Sequence, residues 1–506
     1  MAVASAAVLL VAACGDAQSQ AEGWPSAAGL IGGANGAANG NEPGTTSSTA
    51  ATSVATPLAT GHARTSPGVV GSGGPAAPYD YAPTVMKAGG QYRMWWCSQL
   101  PAARPGDQIL YAESASANGP FAAPGGAPAI QVYGNSPVGF DSLHTCDPSV
   151  IAVNGTYYLY YTGTSDAAGA HNAIGLATST DGVNWTRAND SQPIVTAAGD
   201  VIRKNGYGVG QPSVVFLNDW YYLMFTDTTG EAADASGAGQ FVLRSPDPAF
   251  GYDVEALGPN GYGPVAYTAA PRLTSVADAN SADLTWSDAL NAFAIAQDTS
   301  AGTVVTFWDV NFGYHPYQSV LIPGPEQEGP GIVRQADGHI PADTGDPCGT
   351  VPLDVVRATS AGAGPLGLEH FGLDLEGVHG CQTTTQAIKV LNGFAMPSGS
   401  PSYPADLIVN GRLVQVERRS VAEALAEGML DKPVALLAKL PVATQLDVGA
   451  AAVTAPGRPV GLLLTGQLWT VGRESVATDD SSPLTTITAA QWDAYPRGGD
   501  LSGLRY

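Results

Sequence analysis

The chain has 506 residues and a formal net charge of −23, from 21 Lys and Arg against 44 Asp and Glu. Charged residues make up only 13% and 63 Gly and 38 Pro are present, which excludes a coiled coil, while a hydrophobic share of 44% excludes a wholly disordered chain. The low density of Lys and Arg argues against a nucleic-acid partner, because phosphate binding requires clustered basic side chains.

The N-terminus has the features of an export signal. Residues 2–13 form the apolar run AVASAAVLLVAA, which is too short to span a bilayer but fits the apolar region of a signal peptide. The four residues ending at Cys14 resemble a lipobox, although no Lys or Arg precedes the run. We predict a lipoprotein signal over residues 1–14, lipidation of Cys14, and an exported protein held at the bacterial cell envelope by its lipid anchor alone. An ordinary secretory signal with an incidental Cys14 is the alternative.

The next segment, residues 15–77, is rich in Ala, Gly, Ser and Thr and poor in large apolar side chains. Such a segment buries too little surface to offset its chain entropy, so we predict a disordered, flexible tether. The folded part is then expected to begin at residue 78.

A repeat of strand patterns extends over residues 78–395. Five short openers, each apolar or β-branched, begin at residues 82, 147, 211, 283 and 329. Strands rich in aromatic residues follow, after turn signals such as Asn154-Gly155 and Asn218-Asp219. Third and fourth strands complete four-stranded antiparallel meanders. Five meanders predict an all-β protein with a five-bladed β-propeller; a β-sandwich with coincidental spacing is the alternative.

Four further cysteines predict two disulfides in an exported chain. In a meander, the second strand ends on the side where the first strand begins. Cys97, at the end of the first meander's second strand, should therefore neighbour Cys146, at the start of the second meander. Cys348 and Cys381 would then close the loop-rich fifth meander.

Three motifs of the second meander are similar to those of a known group: Asp-Pro-Ser-Val at 147–150, Tyr-Tyr-Leu-Tyr-Tyr at 157–161, and Ser-Thr-Asp-Gly-Val-Asn-Trp at 179–185. Together they resemble the five-bladed glycoside hydrolases, that is, the family 43 arabinanases and xylosidases with their fructan-cleaving and phosphorylase-type relatives. The resemblance covers residues 78–395. It implies an inverting hydrolase with a base Asp on the first blade, an orienting Asp on the second and an acid Glu on the third.

Only one of these three implied positions matches, at Asp147. Ala82 stands at the first position and Gln211 at the third, and a glutamine amide cannot donate the proton that a general acid must give. Either other carboxylates have taken over the acidic roles, or the pocket only binds.

Carboxylates at the openers should face one funnel, because the innermost strands of a propeller begin near its axis. Glycosidic cleavage requires a general acid and a second carboxylate. The predicted catalytic candidates are Asp80, Asp147, Asp283 and Glu328. We favour Glu328 as the acid and Asp147 as the base or orienting residue. The structural alternatives are that Asp147 caps its strand and that Glu328 is a solvated loop acid.

Aromatic and polar side chains near the openers are candidates for sugar binding, because aromatic faces pack on sugar C–H groups and polar groups bond hydroxyls. These candidates are Tyr81, His144, Tyr207, Gln211, Arg272 and Trp286. No H-x-x-x-H or C-x-x-C spacing indicates a metal cluster, and no cofactor is required, although axial acids would permit a calcium ion. The expected partner is an oligo- or polysaccharide.

The C-terminal part follows a linker-like break, MPSGSPSYP, at 396–404. GRLVQVERRSVA at 411–422 matches GQLWTVGRESVA at 466–477. Each copy predicts a strand followed by a short helix. Residues 396–506 are therefore expected to form a small α/β domain of two related units, which docks on the propeller or binds a surface polymer.

The sequence as a whole predicts an exported lipoprotein whose propeller binds and hydrolyses a glycan. A non-catalytic glycan-binding or adhesion propeller is the alternative, favoured by Ala82 and Gln211. A structural assembly protein of the envelope is a third class.

Overall fold

The computed structural model describes residues 54–99, 106–325, 329–359 and 367–501. Cys14, Glu328 and residues 15–53 of the predicted tether lie outside the described residues. Strands arranged in several sheets are the main secondary structure of the described chain, and short α-helices occur in its C-terminal part. None of the helices in these ranges has the length and apolar character that crossing a membrane requires.

Residues 59–376 form the larger part of the described chain, and its strands are numbered β1 to β21. In chain order they are β1 (Ala59–Thr65), β2 (Asp80–Ala88), β3 (Gln91–Gln99), β4 (Asp107–Ser114), β5 (Ile130–Tyr133), β6 (His144–Val153), β7 (Thr156–Thr164), β8 (Ala173–Ser179), β9 (Thr186–Arg187), β10 (Val209–Leu217), β11 (Trp220–Asp227), β12 (Gln240–Ser245), β13 (Glu255–Gly258), β14 (Gly261–Pro264), β15 (Ala282–Ser287), β16 (Ala292–Thr299), β17 (Gly302–Trp308), β18 (Val320–Pro323), β19 (Gly331–Arg334), β20 (Thr350–Ala358) and β21 (Leu368–Glu376). Many of them are rich in β-branched and aromatic residues, which favour a pleated, half-buried backbone.

These strands form consecutive antiparallel meanders. β6–β9, β10–β14 and β15–β18 are separate sheets in which each strand pairs with the next. An eight-stranded sheet, in the order β1-β21-β20-β19-β2-β3-β4-β5, contains two further meanders joined by the parallel pairing of β19 with β2. The predicted hairpin turns are confirmed at Asn154-Gly155 (φ 51° and 78°) and Asn218-Asp219 (φ 51° and 64°), since two-residue hairpin loops favour positive φ at both positions.

Strand β1 corrects the N-terminal boundary of the folded part. It lies within residues 15–77, where composition predicts a disordered tether, and that prediction is wrong for residues 59–65. β1 pairs with β21 as the outer strand of the last meander, and Arg64 donates to Asp354 over 2.9 Å and to Asp374 over 2.5 Å. Composition misleads here because backbone hydrogen bonds and ion pairs hold this edge strand, which has no large apolar side chains of its own.

The first strands of neighbouring meanders contact one another through their middle residues. The Val214 amide donates to Ser149 Oγ over 3.1 Å, and the Leu284 amide donates to Ser213 Oγ over 2.8 Å. In both cases a serine of one first strand accepts from the backbone of the next. β19 and β2 continue the series by pairing directly.

Two disulfides join Cys97 to Cys146 and Cys348 to Cys381. Both predicted pairings are confirmed. The first connects the end of β3 with the start of β6, so it links two neighbouring meanders at the end where their first strands begin. The second connects the segment before β20 with the segment after β21.

The loop after β19 covers the opposite end of the first strands. Its carbonyl groups at Ala336 and Asp337 accept hydrogen bonds from the amides of Ala152 (2.6 Å) and Phe216 (2.8 Å), which lie near the ends of β6 and β10. Gly338 has a φ of 90°, and a Cβ there would lie 2.9 Å from a backbone carbonyl oxygen of β10, so the close approach requires glycine. The loop therefore closes this end of the region between the first strands.

After β21 the chain forms short helices and two small sheets. Its elements are α1 (Thr384–Val390), β22 (Ala395–Pro397), β23 (Ala405–Val409), β24 (Arg412–Val416), α2 (Arg419–Leu425), β25 (Val442–Leu446), β26 (Ala452–Ala455), β27 (Arg458–Leu464), β28 (Gln467–Thr470), α3 (Glu474–Asp479), β29 (Leu484–Thr486), α4 (Ala489–Asp493) and β30 (Arg497–Asp500). The sheet orders are β22-β23-β24-β25 and β29-β26-β27-β28-β30.

The duplicated motif forms the same structure in both copies. α2 follows β24 and α3 follows β28, as the repeat predicts. The copies share one hydrophobic core, in which Val421 of α2 and Val476 of α3 are both buried. Glu427, just after α2, accepts hydrogen bonds from Lys87 (3.4 Å) and Gln335 (3.1 Å) of the larger part. These contacts favour the docking interpretation of the C-terminal part.

Candidate active site

Strands β2, β6 and β10 contain the same bulge, at a residue followed by proline. Ala82, Asp147 and Gln211 have φ values of 45°, 47° and 53°, and strand pairing shifts register at each. This left-handed backbone costs a residue with a Cβ about 1 kcal/mol or more. Gly329, which also precedes a proline, has a φ of 78°, and a Cβ on it would lie 2.6 Å from the Ala82 Cα. Four of the five aligned openers therefore share a left-handed backbone, and Asp283 does not. The strain at Ala82, Asp147 and Gln211 marks this end as a candidate site.

Asp147 is the aspartate among these bulged residues. It is 9% exposed, its Oδ2 accepts from the Tyr207 hydroxyl over 3.4 Å, and the Thr162 hydroxyl also donates to it. Burial raises the pKa of Asp147 to about 6, against the opposing effect of these two donors. The charge of Asp107 also raises this pKa, and His144 lowers it. A carboxyl with a pKa near 6 can hold a proton and release it close to neutral pH.

Gln211, at the start of the next meander, is linked by hydrogen bonds to the surroundings of Asp147. Its backbone amide donates to Thr162 Oγ1 over 2.7 Å, and its side-chain Oε1 accepts from Thr226 Oγ1 over 3.2 Å. Thr162 thus links Asp147 to the start of β10. The structure therefore brings Tyr207 and Gln211, two of the residues predicted to bind sugar, to Asp147.

Sequence reasoning missed Asp107, the first residue of β4. The Tyr81 hydroxyl donates to Asp107 Oδ2 over 3.0 Å and also lies 3.0 Å from Cys146 Sγ. The Asp107 amide donates to His144 Nδ1 over 3.1 Å. Tyr81 and His144, both predicted near the site, therefore lie beside Asp107. A signal was available: Asp107 pairs with the last residue of β3, so the rule that places the end of β3 beside Cys146 places Asp107 there as well.

Asp80 lies apart from this group. Its carboxylate is fully buried and accepts from Trp96 Nε1 over 2.7 Å and from the Gly73 amide over 3.0 Å. Burial raises the pKa of Asp80 to about 6. Neighbouring residues of a strand point to opposite faces, so Tyr81 faces Asp107 while Asp80 faces Trp96. The structure corrects the prediction that Asp80 joins the catalytic residues, because its contacts hold the loop before β2.

Asp283 is bound within a buried ion pair. Its Oδ1 accepts from the Ser213 hydroxyl over 2.6 Å and from the fully buried guanidinium of Arg334, and its Oδ2 accepts from the Ile332 amide over 2.7 Å. These partners belong to the meanders before and after it. Both carboxylate oxygens are therefore engaged in holding first strands together, which corrects the prediction that Asp283 is catalytic.

Trp286 and Arg272, predicted to bind sugar, are core residues. Trp286 is 1% exposed, packs on Phe293 with ring centroids 4.9 Å apart, and donates to Asp288 over 3.0 Å. Arg272 is 3% exposed and its Nε donates to Asp227 over 3.1 Å. The structure corrects both predictions, because these side chains are enclosed by protein partners.

A calcium ion takes about six to eight oxygen ligands, which include backbone carbonyl and amide oxygens as well as carboxylates. In the described ranges, the group of potential metal ligands close enough to share an ion is Cys97, Asp107 and Cys146, and its two sulfurs form a disulfide. Asp283 is neutralised by Arg334. An axial calcium ion therefore stays a prediction for this chain.

The chain was compared with known families, curated proteins and solved structures. No family model and no curated protein matches. Similar solved structures include Zg3597, a family 117 glycoside hydrolase of the marine bacterium Zobellia galactanivorans, with 13% identity and a TM-score of 0.39 over 64% of this chain and 91% of that one. The α-L-arabinofuranosidase PaAbf62A from Podospora anserina has 12% identity and a TM-score of 0.39, over 63% and 98% of the two chains. At this level of similarity, the chemistry has to be argued from this chain's own residues.

Proposed function

We propose that this protein binds a glycan and hydrolyses it at the end of the first strands where Asp147 lies. The observation that carries the proposal is the environment of Asp147: a left-handed residue with a pKa near 6, held by Tyr207 and Thr162. The negative charge of a second carboxylate, Asp107, also raises the pKa of Asp147. Hydrolysis of a glycosidic bond uses such a pair, with a proton donor of raised pKa for the leaving oxygen.

In this proposal Asp147 is the general acid. The bond between the anomeric carbon and the leaving oxygen breaks, the electron pair stays on that oxygen, and the oxygen takes the proton of Asp147. Tyr207, Gln211 and His144 present the polar groups that contact sugar hydroxyls. The sequence favoured Glu328 as the acid; that residue lies outside the described part, and the pKa of Asp147 supports giving the role to Asp147.

We propose further that the five meanders close into a five-bladed propeller, with β1 completing the last blade. The amide–serine contacts at Ser149 and Ser213, the Cys97–Cys146 disulfide and the pairing of β19 with β2 support this arrangement, because each connects one first strand with the next meander. The C-terminal sheets would form a separate α/β domain that docks on the end covered by the loop after β19.

The Asp147→Asn variant is expected to lose about 10²- to 10⁴-fold in reducing-sugar release from a panel of arabinan, xylan, fructan and mannan, because the amide cannot donate the proton. Asp253→Asn is the matched control. Asp253 has a φ of 48°, close to the 47° of Asp147, and it is exposed, so the control has the same substitution at a similar φ outside the proposed site. Equal release by Asp147→Asn and Asp253→Asn would contradict the proposal.

The pH dependence of hydrolysis tests the role of Asp147 separately. As an acid with a pKa of about 6, Asp147 must be protonated, so kcat/KM is expected to fall tenfold per pH unit above about pH 6. The measurement is kcat/KM between pH 4 and 9 for the wild-type protein. A rate that instead rises with pH through 6 would assign Asp147 the role of base.

A glycan-binding protein without catalysis is the second candidate function. Ala82 and Gln211 favour it, because they stand where the family resemblance implies two of its three acids. It predicts that the wild-type protein retains a glycan in affinity electrophoresis while releasing no reducing sugar. Tyr207→Phe would then weaken retention, since the Tyr207 hydroxyl lies at the proposed contact surface.

Export and anchoring remain proposals that depend on Cys14. They are supported by the apolar run and the lipobox-like residues before it. Labelling of cells with a radioactive fatty acid should mark the wild-type protein and leave the Cys14→Ser variant unlabelled. Labelling of both would place the modification elsewhere.

A further inference from the structure

We propose that Asp107 is the second catalytic carboxylate of this site and that it accepts the proton of the attacking water. Tyr81 and His144 hold it towards Asp147. The proposal rests on the proposed hydrolysis at Asp147. It gives Asp107 the role of base, for which the family resemblance implies an Asp at the position of Ala82.

The Asp107 carboxylate lies beside Cys146, the residue before Asp147. The Tyr81 hydroxyl contacts both Asp107 Oδ2 and Cys146 Sγ, each at 3.0 Å, and Cys146 directly precedes Asp147. A carboxylate oxygen of Asp107 also lies within 4.8 Å of the two sulfurs of the Cys97–Cys146 disulfide. One hydroxyl and one disulfide thus connect the two aspartates from different meanders.

The start of β4 lies against His144. His144 Nδ1 accepts from the Asp107 amide over 3.1 Å and lies 3.5 Å from Asp107 Oδ2. Accepting at Nδ1 places the ring proton of a neutral His144 on Nε2. Gly106 has a φ of 101°, and a Cβ there would lie 1.8 Å from the Leu143 carbonyl oxygen. Because only glycine permits this approach, Gly106 allows Asp107 to lie against His144.

The Asp107 side chain is partly exposed to water. The side chain of Asp107 is 15% exposed and that of His144 is 12% exposed, whereas Asp80 of the same meander is fully buried. Asp107 can therefore meet a water molecule at the end of the first strands where Asp147 lies.

The reaction balances with these two groups. The water oxygen bonds to the anomeric carbon, and the water proton passes to Asp107. The electron pair of the broken glycosidic bond stays on the leaving oxygen, which takes the proton of Asp147. The protons then return through solvent, and neither an oxidant nor a metal takes part in the balance.

The test compares Asp107→Asn and Asp147→Asn on oligosaccharides and on 2,4-dinitrophenyl glycosides of the same sugars, with Asp253→Asn as the control. 2,4-Dinitrophenolate leaves without protonation, so Asp147→Asn should lose about 10²- to 10⁴-fold on the oligosaccharide and far less on the activated glycoside. Asp107→Asn should lose about 10²-fold or more on both, because water must be deprotonated in either case.

A second readout is the pH profile of Asp107→Asn. The charge of Asp107 raises the pKa of Asp147, so the fall in kcat/KM above about pH 6 should begin at a lower pH in this variant. If Asp107→Asn fails to fold, Tyr81→Phe, which removes only the hydroxyl donated to Asp107, takes its place with a smaller loss on both substrates.

The outcomes separate the two proposals. Wild-type rates on both substrates for Asp107→Asn, with a defect in Asp147→Asn, would overturn the role of Asp107 and leave the proposed function standing. If Glu328→Gln loses rate on both substrates while Asp107→Asn keeps the wild-type rates, the role of Asp107 is likewise overturned and the proposed function stands. A wild-type protein that releases no sugar from either substrate would overturn both.

Discussion

Replacing Arg334 by methionine is expected to lower the free energy of unfolding by about 3–5 kcal/mol. Arg334 is fully buried and its guanidinium donates to Asp283, whose other partners are the Ser213 hydroxyl and the Ile332 amide. The substitution leaves a buried carboxylate without its counter-charge, so the desolvation cost of that charge is no longer offset. Urea unfolding followed by tryptophan fluorescence measures the loss as a lower midpoint at an unchanged slope.

An exposed ion pair provides the matched control. Arg419 pairs with Glu423 over 2.8 Å and both side chains are exposed, so Arg419→Met should change stability by less than about 1 kcal/mol. Combining Arg334→Met with Asp283→Leu removes both buried charges and should recover much of the loss. A loss for Arg334→Met no larger than that for Arg419→Met would return Asp283 to the catalytic candidates.

The contrast between Asp147 and Asp283 shows where sequence reasoning stops. Both stand at the start of a first strand, and the alignment of openers treats them alike. Their surroundings differ because Arg334, far away in sequence, neutralises Asp283, while among the described residues Asp147 accepts from the hydroxyls of Tyr207 and Thr162. Which partner reaches a carboxylate depends on how first strands from different meanders pack, and no local pattern encodes that.

The repeated features could be predicted because they are local. Turn residues and alternating strands set each meander, and the meander geometry placed Cys97 beside Cys146. The same geometry applied to third strands would have found Asp107. Strand β1 could not be found in this way, since it pairs with β21 across the whole sequence and is held by ion pairs such as Arg64 with Asp354.

Removing the first disulfide with Cys97→Ala and Cys146→Ala is expected to lower the free energy of unfolding by about 4 kcal/mol, as chain entropy implies for a sequence separation of 49. It should also slow the proposed hydrolysis at temperatures where the variant is folded. Cys146 precedes Asp147 and contacts the Tyr81 hydroxyl that donates to Asp107, so the bridge fixes the two carboxylates relative to each other. Thermal unfolding and kcat/KM for an oligosaccharide measure the two effects.

Removal of the second disulfide is the control that distinguishes a loss of stability from a loss of carboxylate positioning. The double variant Cys348→Ala with Cys381→Ala opens a loop with a separation of 33 and should lose a similar free energy, about 3.5–4 kcal/mol. It lies away from the start of β6, so hydrolysis by the folded variant should equal that of the wild-type protein. Equal rates for both double variants would show that Asp147 and Asp107 are positioned by packing of the strands alone. A loss confined to the Cys97–Cys146 pair would tie the chemistry of the site to the bond between its two meanders.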